Sequence, residues 1–168
     1  MAQLDERGAM TESLTLHHQV SNFLAQEAEL LDLGYFDRWL DLFADDGIYW
    51  IPSAPDQTDM EGQVSIILED VALLKLRVAR LAHPRAYAVT PSPATIHLVS
   101  NIILETVTDK ITVRSKLIMN EVRDDISTTL SGKSTHHLIA SGDSFKILLK
   151  RVDLIQAGGT FNAISIPL

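Results

Sequence analysis

The residues best suited to chemistry are six histidines, His17, His18, His83, His97, His136 and His137, in a chain with no cysteine. Without cysteine there is no disulfide and no thiolate nucleophile or ligand, which fits a reducing cytoplasm. A mononuclear metal site needs two His and a carboxylate converging on one point. His17 and His18 are adjacent on a predicted helix, so their side chains diverge by about 100°. His136 and His137 are adjacent on a predicted strand and point to opposite faces. His97, with Asp46, Tyr49 and Asn101 as polar neighbours, could act as a general base, because an imidazole titrates near neutrality. Opposing that reading, a lone His is more often held in a polar network. Arg77, Arg80 and Arg85 form a basic strip, suited either to a solvated helix face or to ion pairing at a subunit interface. Gly158-Gly159 has no strand–loop–helix context and reads as a turn.

The elements that position these residues follow from periodicity. Residues 14–33 carry Leu16, Val20, Phe23, Leu24, Glu27, Ala28 and Leu31 at helical spacing, with Thr11 or Ser13 as cap and Gly34 as stop. A short helix at 35–43 groups Phe36, Trp39, Leu40 and Phe43. Asp45-Asp46-Gly47 reads as a turn with Gly47 left-handed, before a strand at 48–51 ended by Pro52. Residues 53–65 read as a loop, and 69–82 as a helix with Val71, Leu74, Val78 and Leu81 buried and Lys75 and Arg77 outward. Aromatic residues at these spacings (Phe36, Trp39, Phe43, with Trp50) read as core rather than as a ligand pocket.

From Thr95 the period changes to 2. Ile96, Leu98, Ile102 and Leu104 alternate with His97, Asn101 and Glu105, and Asp109-Lys110 turns the chain. Strands follow at 111–120, 126–140 and 145–155, the last with Phe145, Ile147 and Leu149 on one side. Ser141-Gly142-Asp143 forms the hairpin turn between the last two, and a short strand at 161–166 closes the chain. Helices followed by hairpin-linked strands mean α+β. The architecture expected is a cone, a curved antiparallel sheet wrapped around N-terminal helices, as in cystatin-like and nuclear-transport-factor-2-like folds. Residues 14–168 make one such domain, and residues 1–13 read as a flexible or partner-ordered tail, not a secretory signal.

The net charge of −8, from 22 acids and 14 bases, argues against binding nucleic acid or an anionic membrane. No apolar run is long enough for a transmembrane helix.

With the elements placed, a family pattern stands out. Glu27-Ala28-Glu29-Leu30-Leu31-Asp32, Trp39-Leu40-Asp41-Leu42-Phe43 and Tyr49-Trp50-Ile51-Pro52 resemble the opening of the small (beta) subunit of aromatic-ring-hydroxylating dioxygenases. Arg77, Val78, Arg80, Leu81, His83 and Pro84 match a second block, L-x-x-R-V-x-R-L-x-H-P. Thr95 to Asn101 and the strand FKILLKRVDLI at 145–155 follow in order. The family's P-P-S-R-T-R-H run is here Pro91 to His97 without either Arg, its acidic pair is Glu69-Asp70, and its Trp near 87 is Tyr87. The segment GKSTHHL at 132–138 also lacks the acidic and arginine-rich character common there.

The resemblance implies a small subunit of a multicomponent oxidoreductase in aromatic compound catabolism, with no catalytic, cofactor or metal residues of its own. A catalytic large (alpha) subunit would carry a Rieske [2Fe–2S] cluster and a mononuclear Fe(II). Three large and three small subunits would assemble, the small ones self-associating as a trimer. Candidate interface residues are Arg77, Arg80, Arg85, His97 and Asn101. The alternative is a free-standing isomerase, dehydratase or small-ligand binder with a polar cavity around Asp46, Tyr49 and His97. A third possibility is an oligomerisation module unrelated to dioxygenases.

Overall fold

The computed structural model describes residues 2–81, 93–159 and 163–168. Three helices, α1 (Ala2–Asp32), α2 (Phe36–Leu40) and α3 (Val71–Leu81), accompany six strands: β1 (Phe43–Pro52), β2 (Ser65–Asp70), β3 (Ala94–Val107), β4 (Ile111–Arg123), β5 (Ile126–Ser141) and β6 (Ser144–Leu154). The strands form one open sheet in the order β2-β1-β6-β5-β4-β3. Every neighbouring pair is antiparallel except β1–β6, which is parallel. The curved, open sheet wraps around α1 and α2, with the core between them.

Helix α1 starts at Ala2, well before the expected caps, because residues 2–13 contain no proline and are rich in helix formers. Residues 10–15 of this early stretch are exposed, and Val20 is the first buried position among the residues whose burial is described. The helix ends as expected. Gly34 has φ +71°, Gly34 N–H donates to the Leu31 carbonyl and Tyr35 N–H to the Leu30 carbonyl, the paired bonds of a Schellman cap.

Several local expectations needed correction. The segment 45–47 is not a free turn but an irregular part of β1, where the register against β6 slips between Phe43 and Ile48. Gly47 does not take the left-handed conformation; it is required by close approach, since a Cβ there would lie 2.7 Å from the Ile147 carbonyl. Strand β2 takes the last residue of the expected loop and the first two of the expected helix, with 66–68 between them. It pairs with β1, and Asp70 then caps α3 by accepting from Leu73 N–H at 2.9 Å. Residues 163–168 form no strand; they run as a strap whose Ile166 and Leu168 are buried.

Bulges reverse the faces of the long strands. Asn101, at φ +52°, sits in the slip between Ser100 and Ile103. Before it, His97 points inward while Ile96 and Leu98 are exposed; after it, Ile102 and Leu104 pack on the core. In β6, Leu138 pairs with Ile147 but His137 pairs with Leu149, so the strand carries an extra residue. Phe145 and Ile147 are therefore buried, and beyond the bulge the inward positions become Lys150, Val152 and Leu154.

Candidate functional site

Inside the cone lies a charged cluster supplied by four elements. α1 presents Glu27 from its otherwise apolar face, β5 presents His136, β6 presents Lys150 and α2 presents Trp39. Lys150 Nζ donates to Glu27 Oε1 at 2.6 Å and Trp39 Nε1–H donates to the same oxygen at 3.2 Å. His136 Nε2 meets Glu27 Oε2 at 3.0 Å, and its Nδ1 faces the Ser134 hydroxyl at 3.5 Å. Glu27, His136 and Lys150 are all buried. Burial alone would raise the Glu27 pKa, but Lys150 and His136 outweigh it and hold the carboxyl well below the ordinary range. Trp39 makes edge-to-face contacts with Phe43 and Tyr49, at 5.1 and 5.8 Å between centroids, which fills the space beside the cluster. Glu27, His136 and Lys150 do not line the surface clefts beside Met119, Gly34 or Ser21.

A second polar centre sits where α1 ends. Asp32 accepts from Thr95 Oγ1 at 3.1 Å, from His97 N–H at 3.0 Å and from His97 Nδ1 at 2.5 Å. His97 Nε2 reaches the Pro167 carbonyl at 3.0 Å, and Leu168 N–H donates to the Tyr49 hydroxyl at 2.9 Å. Burial pushes the Tyr49 pKa above the ordinary phenol value, with the Leu168 N–H opposing it.

The anticipated cavity trio is thus split. Tyr49 and His97 are brought together through the strap, whereas Asp46 is exposed on β1. Of the interface candidates, Arg80 and Asn101 are at the surface. His97 turns its side chain inward. Arg77 is half-buried in a bidentate pair with Glu69, at 2.8 and 2.6 Å, rather than pointing freely outward; this bond is the main cause that raises its pKa further. Arg85 lies outside the described residues. Trp50 is buried away from the main core, its Nε1–H donating to Ser65 Oγ and its ring stacked under Arg151 at 4.3 Å. His136 and His137 face opposite sides of β5, as anticipated. Burial lowers the His137 pKa, with Lys110 and His136 adding to it.

The buried cluster went unnoticed in the sequence. Its one local signal was a carboxylate, Glu27, on the apolar stripe of α1. Among the described residues no group of three or more His, Asp or Glu is arranged to hold a metal ion, and the chain has no cysteine for an iron–sulfur cluster.

The fold defines the class. A protein from Novosphingobium aromaticivorans described as nuclear-transport-factor-2-like with a cystatin-like fold superposes with a TM-score of 0.64 at 14% identity, covering 95% of this chain and 94% of its own. The family is narrower: the model for the ring hydroxylating beta subunit matches residues 26–158, and this chain belongs to that family. The anthranilate 1,2-dioxygenase small subunit of Acinetobacter baylyi is 33% identical over 142 residues, 80% of this chain and 86% of that protein. The beta subunit of benzoate 1,2-dioxygenase from Burkholderia mallei superposes with a TM-score of 0.68 at 31% identity, covering 80% of this chain and 87% of its own.

Proposed function

We propose that this chain is the non-catalytic small subunit of a Rieske non-haem iron aromatic-ring-hydroxylating dioxygenase, and that its task is assembly. Its partner is the catalytic large subunit, which holds the Rieske [2Fe–2S] cluster and the mononuclear Fe(II). Three copies of each form the complex, in the cytoplasm, and a trimer of small subunits sets the large ones in register.

The observation that carries this reading is how the polar groups are used. The imidazoles of His97 and His136 and the carboxylates of Asp32 and Glu27 are bonded to one another and to the backbone inside the fold. The outer face of β3 and β4 instead exposes Ile96, Leu98, Ile118 and Val122, with Leu98 directly opposite Ile118 in the register. Exposed apolar groups clustered on one sheet face suit contact with another protein surface.

The test is metal analysis and turnover of the purified chain, alone and co-expressed with a large subunit. Iron and ring hydroxylation should follow the large subunit, and the chain should co-purify with it. Stoichiometric iron or dioxygenase turnover in the chain alone would contradict the proposal.

A further inference from the structure

The second polar centre puts an acceptor against each ring nitrogen of His97. His97 Nδ1 faces a carboxylate oxygen of Asp32, and His97 Nε2 faces the Pro167 carbonyl. A carbonyl oxygen only accepts. The carboxylate already accepts from Thr95 Oγ1 on Oδ1 and from His97 N–H on Oδ2, the pattern of an ionised acceptor. With Asp32 ionised, both ring nitrogens of His97 donate, and only the imidazolium can do that.

We propose that His97 is a proton-operated latch for the strap 163–168: as an imidazolium it ties Pro167 to Asp32, and on losing its proton it lets the strap go. The neutral ring keeps one N–H. The Asp32 bond is the charge-assisted one and retains it, so the Nε2 lone pair is left facing the Pro167 oxygen. What loosens is the strap, which is otherwise held by the buried Ile166 and Leu168 and by the Leu168 N–H bond to Tyr49.

The charged and titratable groups around the latch, among the described residues, are few. Asp32 contacts it from α1, and Glu29 of α1 lines the same surface cleft. Tyr49 of β1 meets the strap one residue beyond Pro167, and the Arg77–Glu69 pair stands behind Tyr49. Asp32 supplies the countercharge in direct contact with the ring.

The test uses this chain, labelled with nitrogen-15, titrated from acid to base over the whole pH range in which it stays folded. Long-range proton–nitrogen spectra report both His97 nitrogens. Exchange of the Leu168 amide, divided by its intrinsic base-catalysed rate, reports the strap. At the acid end both nitrogens should carry protons. As His97 loses one, Leu168 protection should fall about tenfold or more, the loss expected for one charge-assisted hydrogen bond. His97→Gln should abolish the step. Asp32→Asn, which keeps the shape but removes the countercharge, should move it to lower pH. A bare Nε2 at the acid end, flat Leu168 protection in the parent chain, a step that survives His97→Gln, or one unmoved by Asp32→Asn would each overturn the latch.

Discussion

The inside and the outer face of this cone each carry side chains of the less usual kind. Inside, Glu27, His136 and Lys150 are buried, yet each has a partner. Outside, Ile96 and Leu98 are 61% and 59% exposed on β3, with Ile118 and Val122 beside them on β4. Buried charge is tolerated only when paired, so the interior cluster acts as a fastener of α1 and α2 to the sheet. The exposed apolar face contributes nothing to folding a lone chain. The contrast sets paired charges inside against unpaired apolar side chains outside.

The contrast breaks most sharply at Lys150. Lys150→Met leaves the Glu27 charge buried without its nearest cation, and should cost about 3–5 kcal/mol in denaturant unfolding. Converting Glu27, His136 and Lys150 together to apolar residues of similar volume should recover most of that loss. A single substitution with no measurable cost would show that the cluster does not fasten the fold.

Next in size is a steric test of the sheet that carries the cluster. A Cβ on Gly132 of β5 would lie 2.5 Å from the Asp153 carbonyl of β6. Gly132→Ala should therefore destabilise by about 1–3 kcal/mol, the usual range for overpacking.

The interior also sets the acid limb of stability. The folded-state pKa of Glu27 is depressed, so its contribution is fully present above the unfolded value of about 4.3 and is lost as pH falls through the lower folded value. In Glu27→Gln the stability-against-pH slope below about pH 4 should flatten, whatever the variant's overall stability. An unchanged slope would mean that other carboxyls dominate acid unfolding.

The smallest effect on stability is expected outside. Leu98→Ser with Ile118→Ser should change unfolding free energy by only about 0.5 kcal/mol per site. The same pair should weaken co-purification with the large subunit severely. Retained assembly would remove this face from the proposed interface.

The order and type of most elements were legible because period 3.6 and period 2 are local properties. So were the Gly34 stop and the hairpin turns at Asp109-Lys110 and Gly142. Strand faces were not, because the bulges shift parity: Asn101 reads as an ordinary polar residue, and the apolar run Ile147-Leu148-Leu149 does not say which of its residues is the extra one. β2 was lost because its acidic end, Glu69-Asp70, suits a helix start equally well, and it does cap α3. The interior cluster joins residues 109 and 123 positions apart, so it depends on register that no short window contains. Glu27 alone, polar on an apolar stripe, was the readable trace.

The most direct test of the division between inside and outside is turnover per assembled complex. His97→Ala and His136→Ala chains would be co-expressed with a catalytic large subunit, and ring hydroxylation normalised to intact complex by sedimentation. Unchanged turnover per complex, with any loss confined to the amount assembled, is the expected result. Full assembly with turnover abolished would put catalytic chemistry in this chain and contradict its role as an assembly subunit.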